Sequence, residues 1–261
     1  MSEMGCVMGD THSRVTGERI VTPQGGFNAS WQRHLACYAL TEPFIGPDSV
    51  VDVGCGTGHA RHYLEPRQSV GVDLSHSSLE SQDRPTVVAD MRTLPFAPGS
   101  FGSVLCIHAI EHVPDPDRVV TESVRVLKPG GTAVFVTPNR LTFGRPDEII
   151  DPYHFIEFDA FQLGDVCRPH FGSVELYGIF GSERYMDFFS AERRKLDVLL
   201  NLDPLKLRRL IPQRAKQVLY DWMLSRARRG DVSPATAFTV DDFDLRSDRL
   251  EEAMDVVAVC R

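Results

Sequence analysis

The chain has 261 residues, 42% of them hydrophobic and 25% charged, with a formal net charge of −8. These values exclude a disordered or collagen-like protein, and the length fits one large domain with an extension. There is no apolar run of the roughly 18 residues that a membrane span needs, no basic-then-apolar leader, and no C-x-x-C pair among the six cysteines, so a reducing cytoplasm is the expected compartment.

Along the chain, short β-branched runs end in turn residues. They fall at Val50–Val53, Ser69–Asp73, Thr86–Ala89, Ser103–Ile107 and Thr132–Val136. Between the last two, Asp115–Lys128 carries Val119, Val120, Val124 and Leu127 at near-helical spacing, and Lys128-Pro129-Gly130-Gly131 is expected to stop that helix. A helix over Phe158–His170, a strand over Gly172–Gly178 and a last strand over Ala253–Val259 follow. Nearly continuous apolar strands alternating with helices imply a buried parallel sheet, an α/β doubly wound fold.

The first strand runs into Asp52-Val53-Gly54-Cys55-Gly56-Thr57-Gly58. Glycines at every second position let backbone turn tightly and approach a ligand, and a helix opening near Gly58 would point its first amides at it. Asp73 ends the second strand, 21 positions after Asp52, and Asp90 ends the third. A carboxylate at the first of these ends suits ribose hydroxyls, and one at the second can accept from an adenine amino group. A nicotinamide-binding fold is the competitor, but its G-x-G-x-x-G spacing would require glycine where His59 stands.

Asp52 to Gly58 resembles motif I of the class I S-adenosylmethionine-dependent methyltransferases. Gly71-Val72-Asp73-Leu74-Ser75, Ala89–Phe96, Ile110-Glu111-His112-Val113, Arg125–Gly131 and Thr137-Pro138-Asn139 resemble the segments that follow in that family. The branch resembled includes the quinone-biosynthesis and sugar or small-molecule methyltransferases. Gly102 departs from it, because the family usually has Asp there.

The resemblance implies a Rossmann-like sheet of seven strands, mostly parallel with one antiparallel strand, and S-adenosyl-L-methionine as cofactor. Residues 44–180 with 250–261 would form the core, 1–43 an N-terminal helical lid, and 181–249 a helical insertion serving as substrate cap or oligomer contact. Gly54, Cys55, Gly56 and Gly58 would line the methionine part of the cofactor. Asp52 would organise the loop and approach the amino group. Asp73 would hold both ribose hydroxyls, Leu74 and Met91 would pack on adenine, and Asp90 would meet its amino group. His108 would contact the methionine end through its backbone.

The implied reaction moves a methyl group from the sulfonium to a small-molecule acceptor, at oxygen in the first reading. Carbon methylation of a quinone-like ring is the alternative, and a non-catalytic cofactor-binding or regulatory protein is the alternative from another class. Oxygen acceptors gain most from a base, and His154, in Asp151–Phe158, is the candidate catalytic residue; its plainer role is a loop-holding hydrogen bond. His108, Glu111, His112 and His154 also resemble the metal-binding set of the small-RNA 2′-hydroxyl methyltransferases. His108 replaces the first carboxylate of that set, so no metal is expected.

The flanks bear on substrate and partners. Thr16–Ile20, with Arg19, and Trp31–Leu35, with Arg33 and His34, resemble the lid of relatives. Asp203-Pro204 reads as a helix start. Ala215, Val218, Leu219, Trp222 and Met223 mark an apolar helix face, expected to pack on the core or on a second copy of the chain. Residues 191–230 carry 11 Lys or Arg against 4 Asp or Glu. That basic block is a solvated helix face or a contact, through 191–229, to an anionic membrane surface or acceptor. The acidic remainder argues against nucleic acid.

Overall fold

Side chains along a strand alternate between its two faces, and here both faces are apolar, which places helices on both sides of one sheet. The structure is a computed structural model that describes residues 31–143, 149–201, 212, 215–218 and 237–261. Its strands are β1 (Val50–Val53), β2 (Ser69–Asp73), β3 (Thr86–Val88), β4 (Phe101–Ile107), β5 (Leu127–Pro138), β6 (Val174–Gly181), β7 (Phe243–Arg246) and β8 (Asp255–Cys260). The helices are α1 (Trp31–Thr41), α2 (His76–Leu79), α3 (Pro116–Val126), α4 (Ala160–Cys167) and α5 (Glu183–Asn201).

The sheet order is β3-β2-β1-β4-β5-β8-β6-β7. The first five strands pair in parallel, and β8 enters antiparallel to both β5 and β6. The seven-strand expectation is therefore corrected to eight: β7 pairs antiparallel with β6, and two strands run against the rest. Phe243-Asp244-Leu245-Arg246 alternates apolar and polar over four residues, too short a run to separate from a loop by pattern.

Val51, Val53, Val104, Cys106, Phe135 and Val256 form one apolar layer with α3 and α4. Val50, Leu105, Ile107, Val134, Val257 and Val259 form the other with α1 and α5, which contribute Cys37, Tyr38 and Tyr185. Asp159 and Gln162 cap α4 reciprocally, which fixes where the chain re-enters the first layer.

One further expectation changes. No α-helix follows the glycine loop; a 3-10 helix, Arg61–Leu64, stands there. Pro66 disfavours helical backbone at Glu65 and ends the turn early. Gly102 also acquires a reason: a Cβ there would lie 2.5 Å from the Cβ of Asp48, whose carboxylate pairs with Lys128 at 2.5 Å.

Ser182 and Arg184 converge on Asp242 and tie the start of α5 to the entry of β7. Arg19, the helix start at Asp203-Pro204, and Leu219, Trp222 and Met223 lie outside the described residues. Ala215 and Val218 fall in a short helical turn at 215–218, with Val218 exposed. Among the described residues no helix is long and apolar enough to cross a membrane.

Candidate active site

The chain builds β1, β2 and β3 outward, then returns to lay β4 on the other side of β1. That reversal opens a crevice at the carboxyl ends of the strands, the usual ligand position in open α/β sheets. A cavity of about 410 Å³ occupies it. Its walls come from the loop after β1 (Gly54, Cys55, Gly56, Thr57, His59), the end of β2 (Asp73, Leu74, Ser75), the segment after β3 (Ala89, Met91) and the turn after β4 (His108, Ala109, His112). His34 on α1 closes one side.

Two glycines of the loop are required by different constraints. Gly54 has φ +74°, and a Cβ there would sit 2.4 Å from the Cβ of Ala109. Gly56 has φ +53°, and a Cβ there would meet nothing within 4 Å, so the cavity reaches bare backbone. Asp73 locks this loop to β2: its carboxylate accepts from the Gly56 amide at 2.9 Å and from the Ser75 amide at 2.8 Å. Gln82, which no sequence pattern singled out, donates to the Gly56 carbonyl at 2.8 Å from behind.

The candidate residues divide between cavity wall and support. Gly54, Cys55, Gly56, Asp73, Leu74, Met91 and His108 line the cavity. Asp52, Gly58 and Asp90 do not. Asp52 is 1% exposed; it accepts from the Tyr38 hydroxyl at 2.9 Å and pairs with Arg84 at 2.7 Å, so it braces the loop from beneath. Gly58 faces Gln82. Asp90 is turned onto Arg92, which holds its carboxyl below the usual range. The buried Cys55 thiol is pushed up to about 12, chiefly by burial and then by the charge on Asp52, so it is no thiolate nucleophile.

His108 carries φ +50°, unusual for a residue other than glycine. Its amide donates to the Val136 carbonyl at 2.8 Å, and its Nε2 lies 2.8 Å from Asp255. Asp255 in turn takes two hydrogen bonds from Arg33, at 2.7 and 2.5 Å, joining α1 to β8. Burial opposes the charge on Asp255, but Arg33 and His108 outweigh it and hold the carboxyl well below its usual range.

On the other side of the turn, His112 lines the cavity and its Nδ1 donates to the Tyr153 carbonyl at 3.1 Å, which leaves Nε2 as the acceptor. His154 is not in the wall. Its ring packs edge-on behind His112, centroids 5.0 Å apart, with Nδ1 3.4 Å from Glu157. Burial pulls His154 down, yet the bond to Glu157 and the charges of Glu111, Asp151 and Glu157 leave it raised above its ordinary 6.5.

A third histidine group stands at the α1 side. His59 stacks on Trp31 at 4.3 Å and tilts against His34 at 4.7 Å; His34 meets His108 edge-on at 5.2 Å. Burial, with a smaller push from His62, brings His59 down to about 4. Burial, with smaller pushes from His59, His108 and Arg33, brings His34 well below its usual value. Both rings are neutral near pH 7.

A glycine loop opening onto bare backbone, locked by a carboxylate at the end of β2 and set at the strand-order reversal, is a nucleoside-cofactor site in form. Comparison with known proteins agrees. Residues 51–135 match the methyltransferase domain family. A Mycobacterium tuberculosis protein named "Probable S-adenosylmethionine-dependent methyltransferase" is 31% identical over 183 residues, 66% of each chain. The chain belongs to the class I S-adenosylmethionine-dependent methyltransferases. The chain spans about two thirds of that relative's length. A ubiquinone biosynthesis O-methyltransferase of Chromobacterium violaceum is 36% identical over 108 residues, 37% of this chain and 47% of that enzyme. The solved structure of an S-adenosylmethionine-dependent methyltransferase from Thermotoga maritima shares the fold, with TM-score 0.58 and 16% identity over 87% of this chain and 88% of that one.

The family's cofactor is S-adenosylmethionine, and the cavity suits it. Gly56 withholds a side chain where the cavity meets the loop. Asp73 keeps acceptor lone pairs beyond its two amide partners, while His34 Nδ1 and both ring nitrogens of His59 are buried without a partner among the described residues.

Proposed function

We propose that the protein transfers a methyl group from S-adenosylmethionine to an oxygen of a small-molecule acceptor. The observation that carries the reading is the shared wall: the glycine loop with Asp73, and the turn with His108 and His112, border one cavity. The bound cofactor supplies a methyl group activated by its sulfonium. Gly54, Gly56 and Asp73 would hold it, with Leu74 and Met91 beside the purine, while Asp52 and Asp90 act through the backbone they brace.

Deprotonation of the acceptor falls to the histidines. His112 lines the cavity, and with Nδ1 donating to Tyr153 its Nε2 is the acceptor that would take the hydroxyl proton. Glu111, which is 1% exposed, lies beside both rings and stabilises the positive charge His112 gains, while His154 packs behind His112 and holds its ring in place. His154 thereby becomes a positioning residue. Similarity to an enzyme named for O-methylation supports the choice of oxygen over carbon.

Carbon-13 methyl-labelled cofactor, an extract of small metabolites and the enzyme test this reading. The product's methyl carbon should resonate as an O-methyl; a C-methyl signal would assign the quinone-like ring reaction instead.

The pH profile has a definite sign. His154 is raised, so it keeps its proton to a higher pH than a free imidazole and loses it as pH rises through its elevated value. His154→Ala should lower turnover by about 10²-fold, displace the pH limb and leave cofactor affinity in place. Unchanged turnover with early melting would make it a loop anchor.

The basic block at 191–229 is a solvated helix face or, as the sharper reading proposed for test, a contact to an anionic surface or acceptor. Co-sedimentation with phosphatidylserine vesicles should be strong at low salt and collapse by physiological salt. No binding at low salt makes the block a solvated helix face.

A further inference from the structure

Methyl transfer to a hydroxyl breaks one S–C bond and one O–H bond and forms one C–O bond, so every turnover leaves one proton on the base. His112 has one working nitrogen, because its Nδ1 is held by the Tyr153 carbonyl, which accepts a hydrogen bond but not a proton. A cavity filled by cofactor and acceptor excludes the water that would carry the proton off. The base is then restored only if the proton leaves through the protein.

The turn after β4 supplies a route. The Glu111 side chain is buried, and its Oε2 has no hydrogen-bond partner among the described residues. A buried carboxylate oxygen in that state is rare and calls for an explanation. A nitrogen of His112, a nitrogen of His154 and a carboxylate oxygen of Glu111 all lie within 4.8 Å of one another. One water can bridge such a span, since two hydrogen bonds of about 2.8 Å reach across it. Backbone fixes the arrangement: the Glu111 carbonyl accepts from the Phe155 amide at 2.8 Å, which ties the segment of His154 to the turn of His112. Beyond Glu111, His154 sets Nδ1 3.4 Å from Glu157 and Nε2 3.9 Å from Asp151. The Asp151 side chain is 12% exposed against 6% for His154, so the charged groups lead outward. Cys37 and Cys106 also lie in the field of Glu111, but burial pushes both thiols up and they keep their protons.

We propose that Glu111 and His154 form a proton exit path from the active site, the proton passing from His112 to the Glu111 carboxylate, then to His154, and out past Asp151. The assignment rests on the O-methylation reading above and deepens it. Glu111 ends each cycle as the carboxylate it was, and His112 is ready as a base for the next acceptor. His154 gains a second task beside holding the His112 ring.

The test mixes enzyme rapidly with methyl-labelled S-adenosylmethionine and an extract of small metabolites, and compares the rate of the first turnover with the steady rate. His154→Phe keeps ring bulk behind His112 and removes both nitrogens; Glu111→Gln keeps shape and removes the proton acceptor. In each, the steady rate should fall about tenfold or more beyond any fall in the first turnover. Imidazole added as a small buffer base should raise the steady rate of both variants and leave the parent unchanged. If His154→Phe melts early, Glu111→Gln carries the comparison. Should both rates fall together in the variants and imidazole restore nothing, Glu111 and His154 only position His112 and the path is refuted. A parent that loses turnover in a chelator and regains it with magnesium or zinc has a cation in the cluster, which refutes the path as well. In both of these cases methyl transfer stands. If the parent forms no methylated product from any extract, the methyl-transfer reading falls, and this assignment with it.

Discussion

Replacing Asp73 by alanine should weaken S-adenosylhomocysteine binding by about 1–3 kcal/mol, a fall of roughly 5- to 150-fold. Two effects act together. The ligand loses a charged acceptor at the end of β2, and the Gly56 and Ser75 amides lose the carboxylate that fixes the loop. Asp73→Asn keeps one acceptor oxygen and should fall between parent and alanine. Titration calorimetry reads the result, and an undiminished affinity in Asp73→Ala would mean that the nucleoside is held elsewhere.

The second large effect concerns stability. Asp255 is fully buried with Arg33 almost fully buried beside it, 2.5 Å apart, and His108 on the same carboxylate. Removing one partner leaves an uncompensated buried charge, so Asp255→Asn should cost about 3–5 kcal/mol. At about 2–4 °C per kcal/mol for a domain of this size, melting should drop by about 6–20 °C. Replacing both partners, Arg33→Met with Asp255→Leu, should recover much of that loss, because no charge is then stranded.

The pH dependence follows from the depressed carboxyl. Its contribution is present above the unfolded value near 4 and is lost only as pH falls through the lower folded value. The melting gap between parent and variant should therefore be flat from about pH 5 to 8 and close in strong acid. A gap that closes toward neutral pH in differential scanning calorimetry would refute the assignment.

What the sequence made legible follows from locality. The strands β1 to β5 and the loop Gly54–Gly58 are runs of neighbouring residues whose pattern states their conformation. Asp73 was legible because strand ends in this fold face the ligand. Asp52 and Asp90 were not separable from it, since all three are acids at strand ends. What divides them is a tertiary partner: Arg84 and Tyr38 claim Asp52, and Arg92 claims Asp90. Of these, Arg84 and Tyr38 are joined to Asp52 across 32 and 14 positions of sequence.

The histidines show the same limit. His154 was the candidate base read from the sequence, yet packing sets it one ring behind His112. His59 read as the residue that broke a glycine pattern, and its place between Trp31 and His34 depends on how α1 lies over the loop. Arg33 and Asp255 are 222 positions apart, and no periodicity links them. The strand β7 was hidden by its length, and the 3-10 helix after the glycine loop by the proline that shortens it.

The most direct measurement is single-turnover transfer. Enzyme loaded with methyl-labelled S-adenosylmethionine is mixed with an extract of small metabolites, and S-adenosylhomocysteine and labelled product are quantified together by mass spectrometry. Methyl transfer in this cavity predicts one new methylated small molecule, formed in step with S-adenosylhomocysteine and lost in Asp73→Ala. Cofactor that binds tightly while label stays on sulfur across extracts and pH values would contradict it, and would make the protein a cofactor-binding scaffold.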